Sequence, residues 1–377
     1  MKNIQQIKLG ILGGGQLGRM LAQKAFDFNI QLYVLDPDKD CSCKFLGNFL
    51  TIGNFRDFDT VYQFGKDKDL ITIEIEDVNV DALKQLQKEG VQVFPKPEHI
   101  EMIKDKGLQK MFYKEHHLPT ANFLWMDEPN WMNLENKIPF VQKLRVGGYD
   151  GKGVSVIKNQ YDASKLMQGS SLIEELVDIE KEIAIMGARN EAGQIKLFPV
   201  VELVFNDEAN LLDYLFSPAN VSIEIELKAK EIAGKLLQEM QFVGLLAIEF
   251  FVTKKGEVLI NEIAPRPHNS GHHTIEANYT SQYEQMLRAI FNLPLGNTEA
   301  IQAAVMYNVL GEKGYEGVAI AQGIEKLCEM PGAKLHLYGK TITKPFRKMG
   351  HITITAKSLQ EAVDEMNELK KYFKIIA

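Results

Sequence analysis

Apolar and polar positions change period several times along the chain. Residues 7–12 (IKLGIL) form a short apolar run that stops at GGGQLG. GRMLAQKAFDF then keeps the spacing of a helix, and IQLYVLD is a second apolar run. Strand, glycine turn, helix and strand make the opening βαβ unit of a parallel α/β domain. Further strands are predicted at 70–75 and 91–94, and Pro95 and Pro97 close this unit near residue 98. A helix is predicted within EHIEMIKDKGLQKMFYKEHHLPTANF, up to its Pro-Thr break. Strands at 140–144 and 154–157 flank the segment VGGYDGKG and mark a small middle domain. From Ser171 the runs SLIEELVD, EKEIAIMGA and KLFPVVEL read as three strands, and IELKAKEIAGKLLQEM as a helix. Residues 246–263 form a hairpin around KKG. The tail holds a last helix, SLQEAVDEMNELKKYF, with Ser358 and Glu361 as its capping box. The pattern predicts an α/β protein, α+β overall, divided into a Rossmann-like unit over 1–98, a small domain over 99–172 and a mixed-sheet domain over 173–377.

Composition narrows the classes. A length of 377 residues, 45% hydrophobic and 25% charged, suits a soluble enzyme of two or three domains. No run approaches the ~20 apolar residues of a membrane span. The first residues lead straight into a glycine turn without a signal-peptide pattern. Cys41, Cys43 and Cys328 cannot build a disulfide framework, and C-S-C is poor zinc spacing, so a reducing, cytoplasmic setting is expected. A net charge of −7 argues against a general nucleic-acid surface. An anionic ligand would need local positive charge, which gathers at Lys143–Arg145 with Lys152, and at Lys344, Arg347 and Lys348.

Three segments carry candidate chemistry. VGGYDGKGV (146–154) departs from a Walker A loop because Gly153 follows the lysine. Gly147, Gly148, Gly151 and Gly153 would let backbone N–H groups approach a phosphoryl group. Asp150 would repel a phosphate there, unless it is a turn residue that bonds its own backbone. Gly13, Gly15 and Gly18, with Asp36 at the end of the next strand, meet much of a dinucleotide fingerprint. The same residues also fit a packing turn, or a turn that meets another phosphorylated substrate. In the hairpin, a two-residue Lys255–Gly256 loop would set Glu249 opposite Glu262. Facing carboxylates repel unless a divalent cation lies between them, and Mg²⁺ favours such a pair plus substrate phosphates. The neighbouring Ile248, Phe250, Ile260 and Ile263 argue for a desolvated face, whereas a bulge would slip the register and leave the glutamates solvated. Zinc binding by His268, His272 and His273 lacks a cysteine or a suitably spaced carboxylate.

LGGGQLGRML, TIEIEDV, DKGLQK, QKLRVGGYDGKG, EELV, NEIAPRPHNSGHHT and FRKMGH together span nearly the whole chain. In this order they resemble the ATP-grasp superfamily, and within it the 5-(carboxyamino)imidazole ribonucleotide synthase family. Asp77 stands where that family usually carries Asn. The resemblance implies an ATP-grasp fold and an ATP-dependent carboxylation of 5-aminoimidazole ribonucleotide by bicarbonate, through carboxyphosphate. Mg²⁺, or Mn²⁺, would be held by Glu249 and Glu262 with Asn269. ATP would be held by Lys106, Lys143, the loop Gly148, Tyr149, Asp150, Gly151, Lys152 and Gly153, the hinge Glu174, Glu175, Leu176 and Val177, the ribose carboxylate Glu182, and Asn261. The substrate nucleotide would meet Gln16, Leu17, Glu76, Arg266, His268, Asn269, Ser270, Lys344, Arg347 and Lys348. Asp150, Tyr149, His268, Arg266 and Lys348 would serve catalysis. A homodimer is implied, with neither nucleic acid nor membrane as partner. A formate-dependent glycinamide ribonucleotide transformylase would share the hairpin and glycine loop but lack Asp150 and RPHNSGH. A NAD-dependent oxidoreductase would rest on the first glycine turn alone.

Overall fold

The computed structural model describes residues 3–148, 153–206 and 211–377. Strands β1 (Lys8–Leu12), β2 (Gln31–Asp36), β3 (Leu50–Ile52), β4 (Leu70–Ile73) and β5 (Gln92–Val93) form a parallel sheet in the order β3-β2-β1-β4-β5. Leu9, Ile11, Val34, Ile71 and Ile73 are fully buried in it, as suits a sheet covered on both faces. The intervening helices are α1 (Gln16–Asp27), α2 (Phe58–Gly65) and α3 (Val80–Lys88). Because β1 lies between β2 and β4, the turns after β1 and β4 meet at the switch point where such sheets take ligands.

Helices α4 (Pro97–Lys104) and α5 (Lys106–Glu115) lead to a small antiparallel sheet. It consists of β6 (Phe123–Met126), β7 (Phe140–Leu144), β8 (Val154–Ile157) and β9 (Ser171–Glu175), in the order β6-β9-β7-β8. The small sheet therefore runs on through Glu175, past the boundary at 172 drawn from the sequence. An apolar run such as SLIEE reads alike in either sheet, and only its distant partners decide which one it joins.

The large sheet contains β10 (Ile179–Arg189), β11 (Ile195–Leu197), β12 (Val201–Asn206), β13 (Leu211–Ser217), β14 (Gly244–Thr253), β15 (Val258–Ala264), β16 (Ala303–Leu310) and the strands Ala333–Leu337 and Lys348–Ala356. Its β10–β14–β15 end has two distinct faces. Ile183, Ile185, Ile248, Phe250 and Ile260 pack with Tyr113 of α5 and with Leu236 and Leu237 of the helix Ile223–Glu239. Glu182, Ala184 and Glu249 alternate with these residues and share the opposite face, because Ala184 pairs with Glu249. The last helix, Leu359–Leu369, is N-capped by Ser358, which accepts from Glu361 N at 3.3 Å. The Glu361 carboxylate turns to the Lys357 amide at 3.2 Å, so only one half of the expected capping box forms. Among the described residues no helix is long and apolar enough to cross a membrane.

Candidate active site

The β14–β15 hairpin does place Glu249 opposite Glu262, by a route other than the one the spacing suggests. Thr253 N bonds to Glu257 O, so the loop holds three residues, Lys254–Gly256, with Gly256 at φ +80°. Near the turn Phe250 therefore pairs with Ile260, one residue off the expected register. A β-bulge between Phe250 and Glu249 then restores the offset, because Asn261 is the extra residue on β15. Asn261 and Glu262 thus both oppose Glu249, which is how a bulge re-aims side chains at a site. Ile248, Phe250 and Ile260 lie on the covered face and do not surround the carboxylates.

Electrostatics marks this pair as unfinished without a cation. Burial pushes the Glu249 carboxyl up to about 8, and the charges of Glu262 and Glu182 add to the rise. Burial likewise raises Glu182 to about 7, partly offset by Lys143. At Glu262 burial is outweighed by Lys106, Lys143 and Arg266, which hold it below the usual carboxylate value. Lys106 Nζ lies 2.9 Å from Glu262 Oε1, and Lys143 Nζ lies 3.0 Å from Asn261 Oδ1. Both amide atoms of Asn269 are buried with no hydrogen-bond partner among the described residues. Hard oxygen donors from two carboxylates, with an unpartnered amide nearby in sequence, fit a small divalent cation that takes its remaining ligands from phosphate.

Behind the lysines lies a charged core. The Glu174 side chain is 3% exposed and lies between Lys110, at 3.1 Å, and Lys143, at 3.0 Å. These lysines hold its carboxyl low against the effect of burial, and burial lowers Lys110 to about 8. The Glu174 side chain thus faces the lysines, while Glu175 bonds Asn122 Nδ2 at 3.0 Å. Leu176 and Val177 lie in the link between β9 and β10. Arg145 pairs with Asp105 and stacks its guanidinium 3.6 Å from the Trp125 ring centroid, tying the end of β7 to the start of α5 and to β6.

Past the hairpin the chain turns toward the first domain. Arg266 Nε lies 2.9 Å from Glu76 Oε1. His268 Nδ1 lies 2.9 Å from Ser270 Oγ and 3.7 Å from Glu249 Oε1. Ser270 is fully buried, and its hydroxyl beside Nδ1 steadies the His268 ring. His272 and His273 are 1% exposed, and burial lowers both, His272 well below the ordinary value and His273 to about 4. Lys348 opens the strand Lys348–Ala356, and its charge acts on Glu249. Arg347 Nη1 donates to Ile342 O at 2.6 Å, and Lys344 is exposed. Phe346 beside them has φ +62°, a conformation that bulky residues rarely adopt outside constrained sites. Lys340, absent from the sequence reading, donates to Lys348 O at 2.8 Å.

The first glycine turn is already served by protein carboxylates. Gly15 N and Gly18 N each donate to Glu74, at 3.0 Å, and Gly14 N donates to Asp36 at 2.7 Å. Asp36 also accepts from Asp38 N and is 8% exposed, so it is not presented to a ribose. This arrangement leaves the dinucleotide reading without support. Gln16 and Leu17, the first helical residues, border the switch point with Glu74 and Glu76. In the second glycine loop, Gly147 and Gly153 have φ +82° and +75°, which only glycine adopts readily. Leu144 N bonds Gly153 O at 2.8 Å and closes the loop's base. Tyr149, Asp150, Gly151 and Lys152 lie outside the described residues.

A glycine loop on a small antiparallel sheet, set over a large sheet whose hairpin bears an N-E pair facing a further glutamate, defines an ATP-grasp protein. Family models agree along the chain. A ribonucleotide synthetase preATP-grasp domain matches residues 6–104, an ATP-grasp domain 111–283, and a phosphoribosylaminoimidazole carboxylase C-terminal domain 304–365. The N5-carboxyaminoimidazole ribonucleotide synthase of Bacillus subtilis is 35% identical over 95% of this chain and 94% of its own. The crystal structure of the Thermotoga maritima synthetase is 39% identical, covers 99% of this chain and all of its own, and superposes with a TM-score of 0.91. The Aspergillus clavatus synthase in complex with ADP and 5-aminoimidazole ribonucleotide is 30% identical over 98% of this chain and 99% of its own, with a TM-score of 0.88. The chloroplastic phosphoribosylaminoimidazole carboxylase of Vigna aconitifolia is 38% identical over 94% of this chain, but the chain spans only 65% of that protein's length. The chain belongs to the N5-carboxyaminoimidazole ribonucleotide synthase family.

Proposed function

We propose that this protein couples ATP hydrolysis to carboxylation of the amine of 5-aminoimidazole ribonucleotide by bicarbonate, giving 5-(carboxyamino)imidazole ribonucleotide, ADP and phosphate. The observation that carries this reading is the bulged hairpin, which aims Asn261 and Glu262 at Lys143 and Lys106 while Arg266 and His268 continue from the same strand. Phosphate chemistry and substrate binding thereby share one element. Glu249 and Glu262, with Asn269, would hold Mg²⁺, or Mn²⁺, which would neutralise phosphate charge during transfer. Lys106 and Lys143 bind the phosphates of ATP, Glu182 its ribose, and the 174–177 backbone its adenine. The glycine loop covers the transferring phosphoryl group and excludes water, which would destroy carboxyphosphate before the amine meets it. Asp150 positions that amine and receives its proton, with Tyr149 beside it. Arg266, His268, Arg347 and Lys348 hold the nucleotide, with Gln16, Leu17 and Glu76 on its other side. The protein acts as a homodimer in the cytoplasm.

Phosphate release from Mg·ATP and bicarbonate tests the reading, with 5-aminoimidazole ribonucleotide in one arm and glycinamide ribonucleotide plus formate in the other. Stimulation by aminoimidazole ribonucleotide alone, lost in Asp150→Asn with ATP affinity kept, is expected. Stimulation only by the formate pair would replace the substrate while keeping the ATP site. Light scattering that gives a monomer mass would remove the dimer.

A further inference from the structure

Lys110, Glu174 and Lys143 belong to a closed ring of polar contacts that joins α5 and the small sheet to the hairpin. Lys110 Nζ lies 2.5 Å from Thr120 Oγ1 and 3.1 Å from Glu174 Oε1. Glu174 Oε2 lies 3.0 Å from Lys143 Nζ, which in turn lies 3.0 Å from Asn261 Oδ1. Thr120 Oγ1 closes the ring by donating to Ile260 O at 2.8 Å, immediately before the bulge. Lys110 and Glu174 are 4% and 3% exposed, so water screens neither. Lys143, at 13%, is the member nearest solvent.

The ring poses a problem for the lysine that must serve a phosphate. A buried carboxylate that loses its counter-ion is strongly penalised, because no water replaces the cation. If Lys143 were Glu174's sole cation, every approach of Lys143 to a phosphate would expose that penalty. Glu174 would then compete with ATP for the same ammonium group. Lys110 is ion-paired with the other carboxylate oxygen at 3.1 Å, without hydrogen-bond geometry, and is anchored by Thr120, one turn along α5 from Lys106.

We propose that Lys110 is a positioning residue for ATP binding: it stands as permanent counter-ion to Glu174, so that Lys143 is free to leave that carboxylate for the phosphates. This deepens the reading of the site as an ATP site and rests on it. Lys110 itself does not touch the nucleotide. Its anchor on Thr120 also ties α5 to the residue before the bulge, since Thr120 Oγ1 donates to Ile260 O and Ile260 N donates to Pro119 O, both at 2.8 Å.

Isothermal calorimetry of Mg·ATP binding to the full chain tests this with the wild type, Lys110→Met, and Lys110→Met/Glu174→Gln. The single variant should bind about tenfold more weakly, within the range of coupling between members of one ion-pair network. The double variant, with no unpaired carboxylate to hold Lys143, should return to within about threefold of wild type. A merely structural lysine would not be rescued by deleting a second polar partner. Unchanged affinity in the single variant, or no recovery in the double, overturns the proposal alone. Should the single variant fail to fold, the double decides, and more than about tenfold weakening there overturns the proposal. A wild-type chain that does not bind Mg·ATP overturns the ATP reading and this inference with it.

Discussion

Glu249→Gln removes a charge that burial and two neighbouring carboxylates penalise in the folded chain. The Glu249 carboxyl rises from 4.5 in the unfolded chain to about 8 in the fold, through burial first and then Glu262 and Glu182. At about 1.4 kcal/mol per pH unit, full ionisation would cost the fold up to roughly 5 kcal/mol. One fifth of the side chain remains exposed, so solvent and relaxation reduce this, and about 2 kcal/mol is a fair expectation. The folded state keeps the proton longer than the unfolded state. The stability is therefore complete below the unfolded value and drains away as pH rises toward 8. Gln has the same shape and no charge, so the variant should not show this loss. Urea unfolding in EDTA at pH 5 and pH 8.5 reads the effect. The wild type should lose about 2 kcal/mol more than Glu249→Gln between the two pH values, and the variant should be the more stable protein at pH 8.5. Replacing EDTA by Mg·ATP should reverse that order, because only the wild type can bind the cation with two carboxylates. Parallel pH dependences, or a variant less stable at pH 8.5 without cation, would refute the argument.

Other outcomes follow from the same geometry. Gly18→Ala would place a Cβ 2.8 Å from the Gly13 carbonyl, a backbone atom that cannot step aside. Such overpacking should destabilise the fold by about 1–3 kcal/mol in thermal melts and raise the KM for the ribonucleotide while leaving that for ATP. Ser270→Ala removes the hydroxyl that lies 2.9 Å from His268 Nδ1, so kcat should fall with ATP affinity unchanged in calorimetry. Chelating divalent cations should erase the rise in melting temperature that ATP confers, a rise worth about 2.7 kcal/mol at a hundredfold excess over Kd. Retention of that rise in EDTA would remove the cation from the carboxylate pair.

Much of the molecule could be read from local pattern. Strand, glycine turn and helix at 8–27 follow from an apolar run, three glycines and a helical period, all short-range signals. β7 and β8 fall where their apolar runs end, on either side of the glycine-rich segment. The sequence sets Glu249 opposite Glu262 through a two-residue loop and makes a bulge the alternative that would part them, whereas a three-residue loop and a bulge occur together and their shifts cancel. A bulge has no compositional mark at Asn261, whereas its effect on which side chains share a face is decisive.

What the chain determined by itself was the kind and order of its elements and the residue types brought to the site, since periodicity, glycine turns and motif spacing are local properties. Only the tertiary structure decided where charge is satisfied. Glu74, read as the end of a strand, fills the N–H groups of the first glycine turn from 56 and 59 residues away. Lys110, one turn beyond Lys106 in a visible motif, finds its carboxylate on β9 and its anchor beside β15. Ser270 turns its hydroxyl to the His268 ring in the buried interior. Hydrogen bonds and ion pairs of buried groups depend on which distant segments meet, and burial sets their strength.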